Sequence, residues 1–300
     1  MAAVLGVAHT QPDFPVPAGA CDCHVHIFGP PARYPLVPER TYMPSLASVD
    51  DLVGLQRSLG LDRVVIVQAS PQGVNNECLV DALRDLKARD RGARGVAVVA
   101  PGTQPRELRR LHEAGVRALR VNLQSTGISD TSAARTALRE TAALAEPLGW
   151  HIQTHTNLLM VASLRDTIRA LPVPLVVDHF GLASAARGPG QEGFGALLEL
   201  AAEGKVYVKL SAPYRITSRP DGSDGEFIVR PLIDANPERM LWGTDWPHTG
   251  AWPGLPRRRE TPEPFHPIDD GRQLNLLGGW ATRAELQRIL VDNPVRLFDF

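Results

Sequence analysis

Cysteine is scarce in this chain. Cys21, Cys23 and Cys78 are the only three in 300 residues, too few and too odd in number for a disulfide framework. The expectation is a cytoplasmic, reducing environment. An excess of charge of either sign is also missing: 32 lysines and arginines face 33 aspartates and glutamates, for a formal net charge of -1 with histidine neutral. No basic face is therefore offered to nucleic acid or to a membrane surface, and a small molecule is the expected partner. Long apolar runs are absent as well. Nothing approaches the roughly 18 to 20 residues needed to cross a bilayer. The opening MAAVLGVAHTQPDFPVPAGA has neither the basic start nor the sustained apolar stretch of a signal peptide. Internal repeats and low-complexity tracts are lacking too, and oligomeric state is not legible.

What is present is an alternation. After a proline-rich lead over residues 1–17, expected to be flexible, short β-branched runs alternate with stretches of helical period through residues 18–300. That rhythm is the mark of βαβ units on a parallel sheet. Strands are predicted over Cys21–Phe28, Arg63–Ala69, Gly95–Ala100, Val116–Asn122, Trp150–His155, Leu175–Phe180, Val206–Ser211 and Met240–Thr244. Runs such as VVIVQ, VAVVA and VYVKLS are apolar on both faces, as strands are when helices cover one side and a closed core the other. Eight such rounds predict an α/β protein, a single (β/α)8 TIM barrel. Between the strands, SVDDLVGLQRSLG reads as a helix started by Ser48 or Asp50 and stopped by Gly60. The Pro/Gly-rich stretch Thr249–Gly271 is long enough to be a functional loop over the barrel mouth.

In such a barrel the reactive groups stand at the carboxyl ends of the strands. Those ends carry His24 and His26, Ser70, Arg120, His155, Asp178 with His179, Tyr214 with Arg215, and Asp245. Side chains alternate along a strand, so Asp22, His24 and His26 should share the inward face, and Cys21 and Cys23 should turn toward the helices to pack there. A lone strand histidine is ordinarily a satisfied core residue. Three strands ending in histidine and a fourth in aspartate make that reading poor for the set. For Arg120 the competing reading is a surface ion pair, and its place at the strand end favours the interior. His9, His112, His151 and His266 take ordinary structural readings, while His248 is left open between packing and the mouth.

The segments CDCHVHIFGP, LPVPLVVDHFG and LWGTDWPH together resemble the amidohydrolase-related lactonases of the amidohydrolase superfamily, from about Ala18 to the C-terminus. The resemblance implies that Asp245 is the base that activates water, and that His24, His26 and His179 donate hydrogen bonds to the lactone carbonyl as it becomes an oxyanion. It further implies that Arg120 and Arg215 grip substrate carboxylates, with Tyr42 and Ser70 adding polar contacts. The substrate class implied is a small anionic lactone of the pyrone-dicarboxylate or muconolactone kind, met in the catabolism of aromatic or sugar acids.

Two positions depart from the family's dicarboxylate-binding pattern. Thr126 stands where an arginine is expected six residues after Arg120, and His155 where a tyrosine is expected. A missing cation argues for fewer or differently placed anionic groups, because a desolvated carboxylate without its partner is costly. His155 also opens a metal reading. No cofactor is the favoured reading, but His24, His26, His155 and Asp245 match a one-metal set that would hold zinc or manganese. A metal-dependent decarboxylase or amide hydrolase, a lactone isomerase and a silent ligand-binding barrel are the rival functions.

Overall fold

The computed structural model describes residues 3–124, 127–252 and 254–300. Eight parallel strands run in chain order: β1 Cys21–Val25, β2 Arg63–Val67, β3 Gly92–Ala97, β4 Val116–Asn122, β5 His151–His155, β6 Leu175–Val177, β7 Val206–Ser211 and β8 Met240–Gly243. Each pairs with the next, and beyond β8 the sheet returns to β1 through a parallel bridge between Val25 and Trp246. There Asp245 N–H donates to the His24 carbonyl at 2.9 Å and His26 N–H to the Trp246 carbonyl at 2.8 Å. The fold is a (β/α)8 barrel, and every predicted strand is present, two with the predicted bounds, five with shorter ends and the third displaced three residues toward the N-terminus, at Gly92–Ala97 rather than Gly95–Ala100.

Local sequence explains the helices. Ser48 caps the helix Val49–Leu59 by accepting from Asp51 N–H, the Asp51 carboxylate accepts from Ser48 N–H, and Gly60 ends the helix with φ 68°. Apolar faces of the helices pack on the outward residues of the strands, Val64, Ile66, Leu119, Ile152 and Val208 among them. Among the described residues no helix is long and apolar enough to cross a membrane.

The strict alternation expected along β1 does not hold. Cys21 pairs with Arg63 and Asp22 with Val64, but Val25 pairs with Ile66, so the strand carries an extra residue in between. This bulge reverses the parity. Cys21 and Cys23 point into the barrel, where they pack with Val65, Val67, Ala118, Val176, Tyr207 and Leu241, and His24 and His26 still face inward above them. Asp22 is turned to the β1–β8 seam instead. Its carboxylate accepts from Thr244 N–H at 3.0 Å, from the Thr244 hydroxyl at 2.6 Å and from His24 N–H at 3.1 Å. Burial raises the Asp22 carboxyl to about 7.

Residues 3–17 of the lead make side-chain hydrogen bonds to the start of the helix Asp270–Trp280 and its cap. His9 is buried and its Nδ1 accepts from Asp270 N–H, Thr10 N–H donates to Asp269, and Asp13 N–H donates to Asn275 at 2.9 Å. Over the mouth, the short strands Met43–Pro44 and Pro262–Glu263 pair in parallel. They join the loop after β1 to the long loop after β8, which ends as the helix Asp270–Trp280 begins.

Candidate active site

Three strand ends turn sharply to present their side chains. His179 after β6, Ala212 after β7 and Asp245 after β8 have φ of 48°, 53° and 69°. Residues other than glycine rarely hold such backbone, and where they do the surroundings must enforce it. At β8 the enforcement is the seam: a Cβ on Gly243 would stand 2.7 Å from His24 N and 3.1 Å from Asp22 Oδ1.

The result is a carboxylate enclosed by imidazoles. Asp245 Oδ1 lies 3.7 Å from His24 Nε2, 3.7 Å from His26 Nε2 and 3.6 Å from His179 Nε2. These separations exceed a direct hydrogen bond, and His24, His26 and Asp245 lie close enough to one another to share one oxygen placed among them. Asp245 Oδ2 is committed elsewhere. It accepts from the Tyr214 hydroxyl at 2.8 Å and from Arg215 Nε and Nη2 at 2.9 and 2.6 Å.

Burial pushes His26 down to about 4, pushes His155 down to about 3, and lowers His24 and His179 as well, so the four rings are neutral at pH 7. Burial would raise Asp245, but the charged Arg215 guanidinium, the largest opposing influence, holds the carboxyl well below its usual range. The base is ionised, and the rings around it are polar without being charged.

The imidazoles are fixed by their Nδ1 atoms. His26 Nδ1–H donates to the Val67 carbonyl at 2.7 Å, and His179 Nδ1 meets the Ser211 hydroxyl at 2.8 Å. His24 Nδ1 faces a buried polar layer in which Lys209 and Gln153 join Asp178 and Arg120. Lys209 Nζ is 3.3 Å away and also donates to Gln153 Oε1 at 2.7 Å. Asp178 joins the layer, with Arg120 Nη2 at 3.3 Å and Gln153 Nε2 at 3.1 Å from its Oδ2. The signal in the sequence was a lone lysine inside VYVKLS, on the same face as Tyr207 and Ser211.

A cleft of about 200 Å³ opens above, lined by His26, Tyr42, Ser70, Arg120, His155, His179, Arg215 and Asp245. His24 lies just behind it, and Thr126 falls outside the described residues. Arg120 is held by the Gln68 carbonyl at 3.0 Å and by Asp178, with Nε unpartnered and buried. Arg215 borders the cleft, but its strongest bonds serve Asp245 rather than standing free for a ligand. Arg257 also lines the cleft, which nothing in the sequence pattern announced. It stacks 4.0 Å over the Tyr42 ring and is paired with Glu263 at 2.5 Å.

The one-metal set does not assemble as expected. Among the described residues His24, His26 and Asp245 form one group able to hold a cation, and His24, Asp178 and His179 another, but His155 belongs to neither. Its ring lies edge-on to His179 with centroids 5.4 Å apart. His151 sits deep against Phe298, and His248 is buried on Asp270 at 3.0 Å, away from the cleft.

An inward HxH pair on the first strand, a histidine after the sixth and an aspartate after the eighth, all at one end of a (β/α)8 barrel, define an amidohydrolase-type site. The chain belongs to the Amidohydrolase family, whose profile matches residues 21–300. A 2-pyrone-4,6-dicarboxylate hydrolase of Comamonas testosteroni is 36% identical over 300 residues, covering 96% of this chain and 93% of that protein. A 4-sulfomuconolactone hydrolase of Rhizobium radiobacter is 33% identical over 290 residues, covering 95% and 91%. The fold is shared with a solved Agrobacterium tumefaciens protein at a TM-score of 0.80 and 24% identity, over 96% of this chain and 98% of that one.

Proposed function

We propose that the protein hydrolyses a small carboxylated lactone of the pyrone-dicarboxylate or muconolactone kind, in the breakdown of aromatic or sugar acids. The observation that carries this reading is the approach of three imidazole Nε2 atoms to within 3.6–3.7 Å of the ionised Asp245 Oδ1. The activities of the two hydrolases named above support it.

A water held on Asp245 Oδ1 adds to the ring carbonyl carbon and gives its proton to the carboxylate. The N–H groups of His24 and His179 stabilise the oxyanion that forms, whereas His26, with its proton on Nδ1, does not donate from Nε2 as the resemblance implied. The bond between that carbon and the ring oxygen then breaks, and the proton on Asp245 passes to the leaving oxygen. The products are a new carboxylate and a hydroxyl, with the second proton of water released to solvent. Arg215 and Tyr214 keep Asp245 aimed, and the Arg120 guanidinium lining the cleft is the group for a substrate carboxylate.

One observation favours a metal. His26 donates through Nδ1, so its neutral ring aims a lone pair at Asp245 Oδ1, the arrangement usual for a metal-bound histidine. Zinc or manganese held by His24, His26 and Asp245 would polarise the carbonyl and acidify a water. Against it, His24 could join only with its proton on Nδ1, where the Lys209 ammonium stands at 3.3 Å and competes with the Asp178 carboxylate at the same distance. We therefore favour catalysis without a metal. The three cysteines are free, which supports a reducing cytoplasmic setting.

The test is a panel of carboxylated lactones assayed in H₂¹⁸O before and after exhaustive chelation. One ¹⁸O in the new carboxylate, none in the hydroxyl, and unchanged turnover after chelation are expected. Rearranged lactone without label would establish an isomerase, and loss of turnover restored by zinc or manganese would establish the metal reading.

A further inference from the structure

Lys209 is fully buried in the middle of β7, and no step above uses it. Burying an ammonium is costly unless it is paired and its protons are satisfied. Here Asp178 supplies the charge at 3.6 Å and Gln153 Oε1 accepts one bond at 2.7 Å. A second bond runs to His24 Nδ1 at 3.3 Å. Burial lowers the lysine, Asp178 opposes that shift, and Arg120 adds to it.

The chemistry of this contact is directional. An ammonium has three donors and no acceptor, so a ring nitrogen bonded to it must carry the lone pair. Asp178 Oδ1 stands at the same 3.3 Å from His24 Nδ1 and is the competing acceptor, so the tautomer is decided by which of the two neighbours holds this nitrogen. In a neutral imidazole one nitrogen bears the proton, and the bond made by the other decides which. His26 is fixed the opposite way, because the Val67 carbonyl can only accept.

We propose that Lys209 is a positioning residue that holds His24 as the Nε2–H tautomer, making His24 the N–H donor to the oxyanion, while His26 presents a lone pair at Nε2. The histidine pair on β1 is thus two different tools. His24 stabilises charge developing on the carbonyl oxygen. His26 accepts from the water or from the protonated Asp245 beside it. The role assigned to the carbonyl oxygen rests on the lactonase reading; the tautomer itself does not.

The experiment is ¹H–¹⁵N correlation of histidine rings in ¹⁵N-histidine-labelled wild-type protein at neutral pH and without substrate, with His24 assigned by comparison with His24→Asn. The expected spectrum has His24 protonated on Nε2 and His26 on Nδ1. His24 protonated on Nδ1 in the wild type overturns the proposal. In Lys209→Met the His24 proton should move to Nδ1, where Asp178 accepts it. The value of kcat should fall about a hundred- to a thousand-fold, the usual effect of losing one oxyanion donor, with KM changed less than about threefold because Lys209 does not touch substrate. An unchanged tautomer in a folded variant also overturns the proposal. If Lys209→Met does not fold, the wild-type spectrum decides alone. A protein that opened no lactone would sink the preceding reading and leave this spectrum unaffected.

Discussion

Arg120 and His179 both border the cleft, yet they are asked to do different things. Arg120 lines the cleft and bonds to the Gln68 carbonyl and Asp178 rather than to Asp245, so it should act mainly on binding. His179 faces Asp245 Oδ1 at 3.6 Å and should act on the chemical step. Steady-state kinetics should show Arg120→Ala raising KM by about tenfold or more, with His179→Asn mainly lowering kcat. Equal effects on KM would contradict the division. At this scale the sequence was informative wherever a polar residue ended an apolar strand: His24, His26, His179 and Asp245 were found that way. It was poor for Lys209 and Arg257, because a lysine satisfied by a distant glutamine and carboxylate, or an arginine delivered by a long loop, has no local pattern. It also could not foresee that the strongest bonds of Arg215 go to Asp245, since that depends on where two strand ends meet.

At the scale of elements, the seam between β1 and β8 aligns the site. Asp22 ties Thr244 to β1, and Gly243 allows β8 to pass His24 without a side chain between them. Gly243→Ala should therefore push β1 and β8 apart. Overpacking of this kind costs about 1–3 kcal/mol, to be read as a lower urea midpoint. Activity should fall by more than stability explains, because Asp245 and His24 separate. A variant with wild-type kcat would show that the seam does not position the base. The bulge in β1 explains why simple alternation assigned the cysteines to the wrong face: one extra residue shifts everything before it. Helices with clear caps, such as Val49–Leu59, were legible. The helix Glu226–Ala235 was not, because Pro231 interrupts its pattern, though tertiary packing accommodates it.

At the scale of the molecule, the buried histidines link folding to pH. His26 is lowered to about 4, and His151 and His155 to about 3, against 6.5 for a free ring. Below pH 6.5 the unfolded chain binds protons that the folded one refuses, so stability is fully present above 6.5 and is lost as pH falls toward 4. Asp22, raised to about 7, works in the opposite direction, but it is one group against several. Urea midpoints should fall steadily from pH 7 to pH 4.5, and a flat or rising profile would mean that these rings are not held neutral. The barrel itself was legible in the sequence because eight doubly buried strands at regular spacing admit few other closures. The docking of residues 3–17 was not, since it depends on polar bonds to Asp269, Asp270 and Asn275 and on scattered apolar contacts of Val4, Phe14 and Val16 that show no period.

The central claim is that Asp245 is the base. It is tested most directly by the single-turnover rate of Asp245→Asn on the lactone the wild-type protein opens, with circular dichroism confirming the fold. A folded protein slowed at least a thousand-fold, in the range of losses seen when a principal catalytic group is removed, is the predicted result. A folded Asp245→Asn variant that opens the ring at a rate near the wild type would contradict the account.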